Sequence, residues 1–146
     1  MIRGFFPPGQ IYPFVSVDLR IAGVPQQTAR INFVIDTGAA VTVIHPSDAL
    51  IELKMTSASL DPASWPVRQT LAGVGGASRY LVRAADFVFD DDRGPIRFRD
   101  ELVRIGELRP GFRNLPSLLG WDLLQHFRLA IDPSARTVTL DRQEGR

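Results

Sequence analysis

The chain contains no cysteine among its 146 residues, which removes disulfide scaffolds, thiolate zinc sites and cysteine nucleophiles together. Histidine is nearly absent: only His45 and His126 occur, both among apolar residues. A histidine-rich metal site is therefore not expected, and a lone histidine in such a setting is more often structural than catalytic. Lysine is represented by Lys54 alone beside sixteen arginines, a bias that composition ties to no function. There is no excess of one charge either, since 17 basic and 16 acidic side chains leave a net charge of +1. That balance gives no footing to a nucleic-acid partner. No apolar run approaches the roughly 20 residues of a membrane span, so no membrane partner is expected. The first eight residues, Met1 to Pro8, lack the apolar stretch and small-residue cleavage site of a secretory leader. A cytoplasmic location is the expectation.

What is present describes an ordinary globular domain. Hydrophobic residues make up 45% and charged residues 23%, and the length suits one domain, residues 1–146, without internal repeats. The hydrophobic pattern has mostly period two, which predicts strands. Phe14 to Leu19 alternates, and Ala29 to Ile35 resumes beyond the turn residues Gly23 and Pro25, so the two form a hairpin. Val41 to Ile44 reads as another strand. Ser47 is placed to cap a short helix through Leu53, and residues 56–64 read as a loop. Pro66 to Leu71 is extended, Arg79 to Phe89 is a long strand, and Ile96 to Ile105 returns beyond an acidic turn at Asp90 to Asp92. A helix from about Trp121 to Phe127 precedes a closing hairpin of Arg128 to Asp132 and Thr137 to Leu140. The fold class is mostly β with one or two short helices.

Two segments invite chemistry. Asp36-Thr37-Gly38-Ala39 sits between two apolar strands; the plain alternative is a turn, since Asp and Gly are turn formers. Gly73-Val74-Gly75-Gly76 fits a flexible loop or a hairpin turn. It is not a phosphate cradle, because no helix with Lys or Ser/Thr follows it. A chain without cysteine can hydrolyse a peptide with one group that activates water and one that protonates the carbonyl oxygen. Two carboxylates a few ångströms apart do both, because they cannot both ionise comfortably and so share a proton.

Taken in order, the segments resemble the retropepsin-like aspartic proteases, the single-domain relatives of pepsin. The resemblance rests on Ile35-Asp36-Thr37-Gly38-Ala39, on Gly73-Val74-Gly75-Gly76, on Leu118-Leu119-Gly120 ahead of a short helix, and on the closing strands. It covers a core of about residues 12–141. It implies a closed or sandwich-like acid-protease fold with a flap hairpin, and an aspartic endopeptidase that needs no cofactor or metal. Asp36 would be the catalytic carboxylate. Thr37 would hydrogen-bond across to a partner loop, and Gly38 would turn the chain and aim its N–H at the carboxylate. Ala39 stands where pepsin-like relatives often carry Ser, which shifts the expected optimum to mildly acidic or near neutral. Gly73, Val74, Gly75 and Gly76 would form the flap over a peptide substrate, and Leu118, Leu119 and Gly120 would pass behind the catalytic loop.

No other Asp in the chain is followed by Ser/Thr-Gly, so the second carboxylate is expected from a second copy, in a two-fold homodimer with Asp36 facing Asp36. The sequence departs from the viral pattern at Ala40 and Trp121, where an Asp and an Arg usually pair. Trp121 is expected to pack apolar surface near Ala40 instead. The cleft is expected to be lined by residues such as Ile44, Val74 and Leu118. The alternative function is a non-catalytic peptide-binding or scaffold module on the same fold.

Overall fold

A computed structural model describes residues 1–73, 76–111 and 114–144. Ten strands and two short helices follow the alternation closely. The strands are β1 (Ile2–Arg3), β2 (Phe14–Ile21), β3 (Thr28–Ile35), β4 (Val43–Ile44), β5 (Arg68–Gly73), β6 (Gly76–Phe89), β7 (Ile96–Gly106), β8 (Ser117–Leu119), β9 (Phe127–Asp132) and β10 (Thr137–Arg142). The helices are α1 (Pro46–Ile51) and α2 (Trp121–Leu124).

Strands β2 and β3 pair antiparallel from Phe14 opposite Val34 to Arg20 opposite Thr28. β3 then runs parallel to β8, β8 meets β4, β4 runs parallel to β7, and β7 pairs β6. A further pairing of β6 with β2, Ala85 to Val88 against Asp18 to Ile21, closes the circuit. The result is a ring of six strands. Its interior is the apolar face that alternation marked: Val15, Val17, Leu19 and Ile21 of β2, Ile31, Phe33 and Ile35 of β3, and Phe87 and Phe89 of β6 are all buried. Burying such side chains contributes about 1.5–3 kcal/mol each, which is what holds the ring shut. Against it lies a three-stranded sheet in the order β1, β10, β9. Its Phe127 ring packs 5.2 Å from Phe89 and 5.8 Å from Phe98. His126 stacks 5.0 Å from Phe98, which makes it part of this aromatic cluster.

The first six residues of β6 pair with β5, giving a two-stranded arm that leaves the ring. Gly73 pairs with Gly76 at its end, and Gly76 has a φ of 98°, a backbone setting that favours glycine. Val74 and Gly75, the centre of the expected flap tip, lie outside the described residues.

Four local expectations are corrected. The strand expected over Val41 to Ile44 is only Val43–Ile44, because Val41 and Thr42 cross beside Gly120 instead of pairing as a strand. Ser47 does not cap α1: the cap position is His45, and Pro46, with its fixed φ and missing N–H, opens the helix. Residues 56–64 hold two 3-10 turns, Ala58–Leu60 and Pro62–Ser64, which bury Leu60 and Pro62. Helix α2 stops at Leu124, three residues short of Phe127, since Phe127 is drawn into β9 by its aromatic partners. Among the described residues, no helix is long and apolar enough to cross a membrane.

Candidate active site

Asp36 follows the last residue of β3, where Ile35 lies beside Leu119 of β8. Its own N–H donates to the Leu119 carbonyl at 3.1 Å, so the parallel pairing sets where the loop begins. The Gly38 N–H donates to Asp36 Oδ1 at 2.9 Å, and the Ala39 N–H to the Asp36 carbonyl at 3.2 Å. The carboxylate is thereby held in one orientation. A side chain at 38 would crowd it, since an added Cβ would sit 3.2 Å from Oδ1.

The loop is clasped from the other side by residues 120–122. Trp121 and Asp122 donate backbone N–H groups to the carbonyls of Ala39 and Ala40, at 2.9 and 3.1 Å. The Thr42 hydroxyl donates to Asp122 Oδ1 at 2.7 Å and accepts from the Gly120 N–H at 3.1 Å, while the Thr42 N–H donates to Asp122 Oδ2 at 2.9 Å. Thr42 is fully buried, and every polar group of its side chain is used. Gly120 sits so close that an added Cβ would lie 2.5 Å from the Val41 carbonyl carbon and oxygen and 2.9 Å from the Ala39 oxygen. Only glycine fits there.

Leu118, Leu119 and Gly120 therefore do pass behind the loop, but the leucines divide. Leu119 is fully buried in the core, whereas Leu118 lines the cleft beside Asp36. Ile44 does not line it: it is fully buried in the core, and its neighbour Val43 takes the cleft side, as alternation along a strand requires. Trp121 lies at the rim of the loop. It stays 48% exposed, and its indole Nε1–H donates to the Thr37 carbonyl. The Thr37 side chain is exposed and makes no hydrogen bond among the described residues.

The cleft is open and holds about 580 Å³. Asp36, Gly38, Ala39, Val41, Val43 and Leu118 line it from the ring, and Leu71, Ala72, Gly76, Ser78 and Tyr80 line it from the arm. A second cavity of about 440 Å³ continues past Asp36, lined by Tyr12, Val34, Leu115, Pro116 and Leu118. The arm is anchored at its base by Glu107, a buried carboxylate whose Oε1 and Oε2 accept from Arg79 N–H and Nε–H, both at 3.2 Å. Arg109 adds donations to the Ala77 carbonyl at 2.9 Å and the Ser78 hydroxyl at 3.1 Å.

The sequence reading missed Thr42, Asp122 and His45, the last of which lines both cavities. Thr42 carried a signal, being the one polar residue within an apolar run. His45 carried none beyond its neighbours. Among the described residues, no three acidic or histidine side chains are grouped so that they could hold a metal ion. Compared with known proteins, the chain matches no protein-family model and no curated protein sequence.

Proposed function

We propose that the chain is an aspartic endopeptidase whose active site forms when two copies place Asp36 opposite Asp36 on a two-fold axis. The observation that carries this is the Asp36 carboxylate, fixed by the Gly38 N–H at the floor of an open, largely apolar cleft that the β5–β6 arm overhangs. In the reaction, one carboxylate takes a proton from water as the water oxygen attacks the peptide carbonyl. The other gives its proton to the carbonyl oxygen, producing a tetrahedral diol. Collapse of the diol returns a proton to the departing nitrogen and breaks the C–N bond. The arm closes over the peptide and excludes water, the role such lids have in hydrolases.

A second copy is required because Asp36 is the chain's single Asp-Thr-Gly carboxylate. The loop rim supports that partner: Thr37, Gly38, Ala40 and Trp121 are exposed beside the carboxylate, and the Thr37 hydroxyl is available to the opposite loop.

The test is cleavage of an unbiased peptide library from about pH 3 to pH 8 by wild type and by Asp36→Asn, at concentrations where sedimentation shows a dimer. Cleavage by wild type and none by the variant is expected. A dimeric wild type that cuts nothing would overturn the protease and leave a peptide-binding module in its place.

A further inference from the structure

His45 sits where the two cavities meet, lining both together with Asp36, Leu115 and Leu118. It is held rigidly. Its backbone N–H donates to the Ser117 hydroxyl at 3.1 Å, Ser117 in turn donates to Asp48 Oδ2 at 2.6 Å, and the His45 carbonyl opens α1 by accepting from the Ala49 N–H. The ring is oriented by Nδ1, which lies 2.6 Å from the Pro116 carbonyl. A carbonyl can only accept, so Nδ1 carries the hydrogen, and the neutral ring offers a lone pair at Nε2.

That second nitrogen has no hydrogen-bond partner among the described residues, yet it is not one of the buried, unpaired polar atoms. It therefore keeps access to solvent, on a side chain that lines both cavities. Burial pushes the imidazole toward its neutral form, offset only in part by the Pro116 carbonyl and the Asp48 charge. The other polar side chains of the two cavities are Asp36, Ser78, Tyr80 and Tyr12; a preoriented acceptor among the apolar remainder is a strong discriminator, since a ligand without a donor leaves it unpaired.

We propose that His45 is a specificity-determining residue: Nε2 accepts a hydrogen bond from a Ser, Thr, Asn or Gln side chain of the bound peptide. The substrate class is then an extended peptide with one such donor beside the cleaved bond and apolar residues around it. This rests on the endopeptidase reading, but it concerns recognition, and recognition can be measured apart from cleavage.

The experiment uses apolar octapeptides in which each of the four central positions is in turn Thr or its near-isostere Val, at neutral pH. Wild type is expected to cut the Thr peptide about tenfold faster than the Val peptide at one position. His45→Leu should erase that preference while still cutting the Val peptide, and His45→Gln, which keeps an acceptor, should restore part of it. A ratio near one in wild type at every position, or a preference that survives in His45→Leu, overturns the proposal. Long-range nitrogen NMR of the His45 ring in the Asp36→Asn protein reads the same contact without cleavage or a substitution at 45. The Thr peptide should shift Nε2 and the Val peptide should not. If wild type cuts nothing but that shift occurs, the protease reading falls and the His45 assignment stands; no selective shift overturns the assignment.

Discussion

The two walls of the cleft are built in opposite ways. The ring wall, residues 36–42 with 120–122, is tied by backbone and side-chain hydrogen bonds at nearly every residue, and its buried Thr42 and Gly120 leave no room for adjustment. The arm wall, Arg68–Gly73 with the start of β6, is a two-stranded ribbon. Arg68, Thr70, Ala72, Ala77 and Arg79 along it are exposed, and it is tethered by side chains along its length: Glu107 at Arg79, Arg109 at Ala77 and Ser78, and a 3.0 Å donation from Arg104 Nε to Gln69 Oε1. A two-stranded ribbon is marginal by itself. The difference is one of construction: the carboxylate sits on a closely clasped loop, and the wall opposite it is a ribbon of two strands.

Gly120→Ala breaks the ring wall most severely. A methyl group 2.5 Å from the Val41 backbone forces the loop off its clasp, at about 3 kcal/mol or more. Chemical denaturation should show a large loss, with activity falling in parallel. Thr42→Val comes next. The shape is kept, but the Gly120 N–H loses its acceptor and Asp122 Oδ1 keeps only the Leu123 N–H, which costs about 2 kcal/mol; the same denaturation series measures it.

Gly76→Ala addresses the arm. Among the described residues nothing lies within 4 Å of the added Cβ, and the φ of 98° resists it, a cost of about 1 kcal/mol. Because a two-stranded ribbon at the border of the sheet adds little to global stability, the midpoint should move less than that figure, while peptide cleavage drops severalfold. A midpoint shift as large as that of Gly120→Ala would dissolve the comparison.

The smallest effect belongs to His45, between the walls. Its folded value lies below the ordinary 6.5, chiefly through burial, so the unfolded chain takes up a proton first as pH falls. Stability is unaffected well above 6.5, declines as pH drops below it, and levels off once the folded imidazole also protonates. Asp48 from α1 is the charge that acts on the ring, and Asp36, Tyr80 and Tyr12 share its cavities. In His45→Leu the decline in this window should be shallower when denaturation midpoints are compared across pH.

Much of the ring was legible in the row of residues. Val15, Val17 and Leu19 alternate with Ser16 and Asp18, and the first three are buried as that pattern demands. The hairpin of β2 and β3 followed from its turn residues. The closure of β6 onto β2 was not legible, because pairing between residues 64 or more positions apart leaves no local mark. At the candidate site, Asp36 and Gly38 stood out through their flanking strands, while Asp122 had no such flanks to mark it. Its partner Thr42 lies 80 positions away, and a hydrogen bond across that separation has no periodicity to betray it. Ser47 shows the opposite failure, a good local signal overridden by Pro46 one residue earlier.

The closed ring also governs how this protein meets other chains. A strand inside a ring has neighbours on both sides and gives a passing polypeptide nothing to add to. Among the described strands, whole free edges are left at β1, only two residues long, at β9 and along the outside of β5, while residues 28–32 of β3 and 96–103 of β7 are paired on one side only. β9 carries Arg128 and Asp132 and is followed by Pro133, the kind of charged, proline-stopped border that resists edge-to-edge growth. The exposed border of β5 has Arg68 near its start and Thr, Leu, Ala and Gly beyond. That makes it the place where unwanted polymerisation would begin, and equally where an extended peptide could be gripped by its backbone.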